Sequence, residues 1–380
     1  MRVGVVATEF FEHGRGRIGG FGWAAREVAR CFSERSELGV DVVFVNGERG
    51  DAPVRVLHST RLLAPHGGRL GHAQRLRRER FDVLLTIDYR PAYAPILLVL
   101  PRTPVIVWAR DPRTRAERAR LAGLRIPGGR NEPPAGLDWF DCRSLGRLAR
   151  LSRALARPLM LASTAPATIG DAAREAYGLP GTEIAFLPNP VPPADGKISP
   201  SSRPTVLFLG RLDPYKRPWL FAELARCHPE TEFVMLGDAY AGGGDTWTPS
   251  ELPPNLRLAG HLDGAAKARE LAAAGVLVNT SLHEGLPVSF LEALAAETPI
   301  LSFQDPEGVV TRFGLRIPGA EGTGLDALPA LSEGLERLLR DRDRRVALGR
   351  AGRRWVEATH SRATFVSAFF QLCETAGVAR

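Results

Sequence analysis

The sequence predicts an α/β protein made of two halves, each a parallel sheet covered by helices on both faces. Short apolar runs occur without strict alternation, amphipathic segments separate them, and the whole pattern starts again after a proline-rich stretch. A strand buried on both faces reads as a continuous apolar run, and parallel strands need crossover connections that are usually helical. The 380 residues suit two domains, and 44% hydrophobic with 24% charged residues is an ordinary globular balance.

In the first half, strands are expected at Arg2–Ala7, Val40–Val45, Val83–Ile87, Val105–Ala109, Leu159–Ala162 and Ile184–Leu187. A glycine-rich loop follows the first of them and leads into an amphipathic helix over Trp23–Ser33. The longest apolar stretch, Ala92–Ala109, is broken by Pro95, Pro101, Arg102 and Pro104; it reads as two buried strands and not as a membrane span. Arg110–Arg157 suggests two or three helices around a Pro/Gly-rich insert at Ile126–Gly136. Six prolines between Pro188 and Pro204 make an extended, semi-rigid linker.

Beyond it come strand Thr205–Leu209, helix Pro218–Cys227, strands Glu232–Leu236 and Leu256–Ala259, helix Ala265–Ala274 and strand Val276–Asn279. Helix Val288–Ala296 and strand Ile300–Phe303 follow, and Leu328–Ala358 and Ser361–Ala376 close the chain as helices. Two Rossmann-like halves joined in this way would place a ligand at the carboxyl ends of the strands, in a cleft between the halves.

Composition removes several classes of function. Lysine occurs only at Lys197, Lys216 and Lys267, so arginine supplies nearly all of the 50 basic residues. That excess looks like the codon bias of a GC-rich, bacterial genome, which makes the net charge of +8 weak support for nucleic acid. Cys31, Cys142, Cys227 and Cys373 are far apart, with no Cys-x-x-Cys and no paired histidines. Neither a disulfide framework nor a zinc site is expected, and a reducing cytoplasm fits. Met1–Ala7 runs straight into a strand pattern, without an apolar leader. The expectation is a soluble cytoplasmic protein. Arg75, Arg77, Arg78 and Arg80 form a basic stretch without an aromatic stacking set; a solvated helix face explains it, and peripheral contact with anionic lipid or a charged acceptor stays open.

Chemistry concentrates between Gly210 and Glu292. Strand Thr205–Leu209 ends in Gly210-Arg-Leu-Asp-Pro-Tyr-Lys-Arg217, and Pro218 suits the first turn of the next helix. Arg211 and Lys216 therefore sit at the carboxyl edge of the sheet, where a guanidinium and an ammonium together neutralise a diphosphate. Alone, such a loop is also what a solvated basic turn looks like. Strand Val276–Asn279 then enters Thr280-Ser-Leu-His-Glu-Gly-Leu-Pro-Val288. Gly285 admits a ligand close to the backbone, Pro287 opens a helix whose free amides form an anion site, and Glu292 lies one to two turns into it. A carboxylate there can accept both hydrogen bonds of a ribose diol, while Glu284 can hold sugar hydroxyls.

With these residues the chain resembles the retaining glycosyltransferases of family 4 (group 1), which have the GT-B fold: two Rossmann-like domains with parallel sheets facing a central cleft. The resemblance rests on Gly210-Arg211…Lys216, Met235-Leu-Gly237-Asp238, Ala259-Gly260-His261, and Glu284-x₇-Glu292 followed by Ala295-Ala-Glu-Thr-Pro-Ile300. Gly19-Gly20-Phe-Gly22 after the first strand is like the family's glycine loop, and Leu187-Pro-Asn-Pro-Val191 is like the segment closing its first domain. It implies a nucleotide-sugar donor, UDP- or GDP-linked, and a hydroxyl acceptor (saccharide, natural product or lipid-linked glycan), with no cofactor, metal or nucleic acid. Residues 1–192, joined by a returning helix at 361–378, would bind the acceptor, and 193–360 the donor.

Arg211 and Lys216 would hold the diphosphate, Glu284 the transferred sugar, Glu292 the ribose, and Gly260-His261 would border the base. Gly19, Gly20, Gly22, Gly210, Gly237, Asp238, Gly285, Leu286, Pro287 and Val288 complete the implied donor contacts. Two residues depart from the pattern. Arg110-Asp111 stands where many members have histidine followed by Asp or Gly, so that Asp111 or Arg110 takes over or the acceptor site is built differently. Glu297 replaces a glycine, implying a modest loop change. Asp341-Arg-Asp343 spells a metal motif but reads as a charged helix face. Two other classes remain alternatives: a GT-B-fold UDP-sugar 2-epimerase, and a non-catalytic sugar-nucleotide or polyanion-binding protein.

Overall fold

The computed structural model describes residues 1–10, 19–46, 54–57, 60–66, 68–124, 127, 142–194, 204–238, 247, 251–319 and 321–379. Arg15, Arg17, Lys197 and all of the Ile126–Gly136 insert but Pro127 lie outside these. The chain divides into two compact units. One comprises Met1–Arg115, Asp138–Pro192 and Ser361–Arg380, and the other Ala116–Leu137 and Pro193–His360.

The first unit begins β1 (Arg2–Ala7), α1 (Gly20–Ser33), β2 (Asp41–Asn46), β3 (Val54–Leu57), β4 (Thr60–Leu63), α2 (Arg69–Glu79) and β5 (Val83–Ile87). It continues through α3 (Ala94–Val99), β6 (Val105–Ala109), α5 (Ser144–Ala154), β7 (Leu159–Ser163), α6 (Pro166–Tyr177) and β8 (Ile184–Phe186), while α4 (Arg115–Ala122), between β6 and α5 in the chain, belongs to the second unit from Ala116 on. Among the described residues its sheet has eight strands in the order β3-β4-β2-β1-β5-β6-β7-β8, parallel except for the β3–β4 pair. The second unit runs β9 (Thr205–Leu209), α7 (Pro218–Cys227), β10 (Phe233–Leu236), β11 (Leu256–Gly260), α8 (Gly264–Ala273) and β12 (Ala274–Asn279). Then come α9 (Val288–Ala295), β13 (Ile300–Ser302), α10 (Val309–Phe313), β14 (Gly314–Arg316), α11 (Leu328–Arg340) and α12 (Arg342–Thr359), before α13 (Arg362–Thr375). Its six described strands are all parallel, in the order β11-β10-β9-β12-β13-β14.

One apolar stretch departs from the sequence reading. Of the two strands anticipated in Ala92–Ala109, Val105–Ala109 forms, whereas Ala94–Val99 is a helix. Pro95 sits in its first turn, where a missing amide costs nothing, and the side facing solvent includes Leu98, half exposed. The hairpin β3–β4 at the sheet edge was not anticipated either. Leu328–Ala358 is two helices, broken at Asp341, whose carboxylate caps the second by accepting from the Arg344 amide at 2.9 Å.

Burial accounts for the way the segments are shared out. Helix α13 belongs to the first unit's core: Phe369 meets Phe32 of α1 at 5.4 Å between ring centres, and Phe365 meets Trp108 of β6 at 5.5 Å. Arg362 also reaches the fully buried Glu27 at 2.7 Å. Residues 116–137, though they precede position 192, group with the second unit because Leu121 and Leu124 are buried in its core with Leu220 and Leu331. Among the described residues no helix is long and apolar enough to cross a membrane.

Candidate active site

In the second unit the carboxyl ends of β9, β10 and β11 are stitched together by backbone bonds. Gly210 N donates to Leu236 O at 3.0 Å, Gly237 N to Gly260 O at 2.9 Å, and Leu212 N to Asp238 O at 3.1 Å. Gly237 has φ of 136°, and a β-carbon there would fall 1.8 Å from Gly210 O, so only glycine fits. This close approach fixes where the Gly210–Lys216 loop leaves the sheet.

A second loop clamps the first. Thr280 Oγ1 donates to Lys216 O at 2.6 Å, Leu282 N donates to Tyr215 O at 2.8 Å, and the buried Arg217 guanidinium reaches Thr280 O at 2.6 Å. Arg217 has φ of 50°, which turns the chain between the Pro214–Lys216 turn and α7. The phosphate-binding loop anticipated after β9 and the glutamate loop anticipated after β12 are thus one bonded assembly.

Within it Lys216 Nζ lies 2.6 Å from Glu284 Oε1, and that same oxygen accepts from Ser281 Oγ at 2.6 Å and Asn279 Nδ2 at 3.0 Å. Burial works against the Lys216 ammonium, but the Glu284 carboxylate and the Tyr215 phenol outweigh it and hold its pKa above the ordinary lysine value. Asn279 is held in turn by Ser281 N and Ser302 Oγ, each at 3.2 Å from its Oδ1. Arg211 is anchored beside this cluster, with Nε 2.9 Å from Asp213 Oδ2 and Nη2 donating to Tyr215 OH at 2.6 Å.

Helix α9 follows Pro287, with no side-chain cap and no acid in its first turn, so the amides at its start carry an uncompensated positive end. Gly285 and Leu286 are buried in the turn before it, and Pro287 and Val288 are partly buried. Glu292 is not solitary: Lys267 of α8 lies 2.6 Å from its Oε1. The two described lysines of the chain therefore each pair with one glutamate of the Glu284-x₇-Glu292 motif. Sequence reasoning assigned no role to Lys267, Asn279 or Ser281. Asn279 and Ser281 end β12 and could have been flagged by position, whereas nothing local marks Lys267. His261 and Asp238 are exposed, and Gly260, with φ of 66°, packs next to Asp238. His283 faces Glu117 at 3.6 Å.

The remaining expected residues belong to the first unit. Gly19, Gly20 and Gly22 open α1, and Gly19 leaves room for the Glu9 carboxylate. Asp111 pairs with Arg113 at 2.7 Å, so its carboxylate is engaged by its own loop. Asp341 and Asp343 do no more than begin α12, and the described residues hold no group of three potential metal ligands.

Two parallel-sheet α/β units in one chain define the GT-B class of fold, and solved structures agree. Sucrose-phosphate synthase from Thermosynechococcus elongatus superposes over 100% of both chains with a TM-score of 0.69 and 16% identity. Anabaena HepE, crystallised with UDP-glucose, also covers 100% of both, with a TM-score of 0.65 and 14% identity. Residues 195–355, within the second unit, match the family model of glycosyl transferases group 1. A GDP-mannose-dependent α-(1-6)-phosphatidylinositol monomannoside mannosyltransferase from Mycobacterium tuberculosis is 31% identical over 211 residues, 50% of this chain and 53% of that one. A GDP-mannose-dependent α-mannosyltransferase from Mycolicibacterium smegmatis is 34% identical over 104 residues, 27% of this chain and 26% of that one. The chain thus spans about half the length, or less, of these curated relatives.

Proposed function

We propose that the protein transfers a sugar from a nucleoside-diphosphate sugar to a hydroxyl acceptor, with retention of configuration and without a metal ion. The observation that carries this reading is the bonded assembly of Arg211, Lys216, Glu284 and the start of α9 at one sheet edge. Departure of the nucleoside diphosphate leaves an oxocarbenium-like sugar and places charge on the outer phosphate. Lys216 has three donor positions and gives one to Glu284 in this structure. The others, with the Arg211 charge and the α9 amides, would act where the leaving charge develops, and fixed donors there lower the barrier more than they tighten ground-state binding.

The three bonds to Glu284 all fall on Oε1, and in this reading Oε2 takes hydroxyls of the transferred sugar. Glu292 takes the ribose diol, and Lys267 fixes its carboxylate. Retention follows from attack on the face the diphosphate leaves, with a phosphate oxygen taking the acceptor's proton. The mannosyltransferase relatives make GDP-mannose the donor to try first.

Thermal shifts with GDP, UDP, ADP and dTDP test the reading on the wild type and on Glu292→Ala. A ligand at about 100 times its Kd stabilises by about 2.7 kcal/mol. One nucleotide that stabilises only the wild type supports the donor site; no shift with any of the four removes it. Turnover of GDP-mannose or UDP-glucose with an acceptor panel then separates transfer from epimerisation and from silent binding.

A further inference from the structure

The sheet of the first unit ends in two buried donors that the fold leaves open. Arg110 directly follows β6 and is 7% exposed; Asn189 lies beyond β8 and is 0% exposed. Arg110 Nη1 donates to Asn189 Oδ1 at 2.5 Å, and the guanidinium lies 4.5 Å over the Trp108 ring. Among the described residues neither Arg110 Nε nor Asn189 Nδ2 has a hydrogen-bond partner. Beside them stands Phe21 in the first turn of α1, with the Arg90 guanidinium 5.5 Å and the Arg110 guanidinium 6.0 Å from its ring centre. That turn carries no side-chain cap and no acid, so the helix end adds to the positive field.

Three carboxylates face Arg110: Asp88, Glu9 and Asp111. Asp111 is held by Arg113, and Asp88 accepts from the Tyr177 hydroxyl while facing Arg90. Glu9 is different, because its Oε2 is buried against Gly19, where a β-carbon would come within 2.6 Å, with no hydrogen-bond partner among the described residues. Burial lowers the Arg110 pKa to about 10, which still leaves a cation at neutral pH.

Buried polar groups are almost always paired, so two open donors and one open acceptor in the same neighbourhood call for a ligand that supplies their complements. A guanidinium edge beside an amide N–H matches an oxyanion. A lone carboxylate oxygen matches a hydroxyl. We propose that the first unit holds a binding site for a hydroxylated oxyanion, a sugar phosphate or a sugar acid, with Arg110 and Asn189 on the oxyanion and Glu9 on a hydroxyl. That this ligand is the charged end of the acceptor rests on the transferase reading; its binding does not.

Isothermal titration of the full chain without nucleotide tests the site, using glucose 6-phosphate, glucuronate and glucose as matched probes. Wild type and Arg211→Ala should bind at least one of the two anions saturably, Arg110→Gln at least tenfold more weakly, and glucose should not bind. The better of the two anions decides between phosphate and carboxylate. Undiminished binding by Arg110→Gln, loss in Arg211→Ala instead, equal binding of glucose, or no binding of either anion would overturn the proposal. Should Arg110→Gln not fold, Glu9→Ala decides: glucose 6-phosphate should weaken several-fold while inorganic phosphate does not, and an equal response of the two sinks the assignment. Nucleotide shifts on the same samples keep the two readings apart, since either site can fail while the other binds.

Discussion

Lys216 Nζ sits 2.6 Å from Glu284 Oε1, joining the loop after β9 to the loop after β12 through one ion pair. Because Ser281 and Asn279 also donate to that oxygen, Glu284 keeps its place when Lys216 is removed. Lys216→Met should therefore lower kcat by about 10²–10³-fold, as loss of a fixed oxyanion donor does, with a smaller change in KM. Steady-state kinetics check this. The pKa of Lys216 is raised in the folded protein, so its stabilising contribution is complete below the ordinary lysine pKa and lost as pH rises through the raised value. The stability gap between wild type and Lys216→Met in urea should stay constant from neutral pH to about 10 and narrow above it. A gap that narrows already near pH 8 contradicts the pairing.

Glu292 and Lys267 form a second such pair, at 2.6 Å. Glu292→Ala should weaken nucleotide binding by roughly 10–100-fold, the worth of losing charge-assisted bonds of about 1.5–3 kcal/mol, and should leave kcat at saturating donor nearly intact. A drop in kcat with unchanged donor affinity would place Glu292 at the reacting sugar and not at the ribose.

Gly237 separates fold from site. Its φ of 136° and the 1.8 Å approach of a β-carbon to Gly210 O mean that Gly237→Ala must push the Gly210–Arg211 backbone away from β10. Overpacking of this kind costs about 1–3 kcal/mol, which a cooperative unit survives, while on the proposed transferase reading a displaced Arg211 loses its place against the diphosphate. The variant should melt as one transition at a lower temperature and show no nucleotide-induced shift. A retained shift would show that the loop tolerates the displacement.

The sheets and the loops after β9 and β12 were legible because their signals are local. Non-alternating apolar runs mark Thr205–Leu209 and Ala274–Asn279, and Gly210, Pro218, Gly285 and Pro287 punctuate the loops that follow. Ala94–Val99 was misread because six apolar residues have no usable periodicity, and only Pro95 hinted at a helix start. The pairing of Lys267 with Glu292 spans 25 positions and depends on how α8 and α9 lie against each other, which no spacing rule encodes. Residues 116–124 gave no sign that they join the second unit, since two buried leucines decide it. At Glu297, where glycine was anticipated, the backbone is indeed left-handed with φ of 56°, so the substitution is accommodated at a small conformational cost.

Arg217 offers the sharpest test of the clamp beneath the site. Its guanidinium is fully buried and donates from Nε to Thr280 O at 2.6 Å and from Nη2 to Ser281 O at 3.3 Å, both on fully buried residues, while resting 5.1 Å from the Phe303 ring centre. Arg217→Met fills much of the same volume but removes the donors from these two carbonyls and from the longer 3.5 Å bond to Gly322 O. Unmet buried acceptors cost about 1–3 kcal/mol each, so the melting temperature should fall on the order of 6–12 °C for a unit of this size. Arg217→Lys should rescue little, because an ammonium lacks the planar fork that reaches both carbonyls. Nucleotide binding should weaken in both variants, since Thr280 also holds Lys216 O. If Arg217→Met melts like the wild type, the two loops are held by the Thr280 and Leu282 bonds alone and the guanidinium is a passenger.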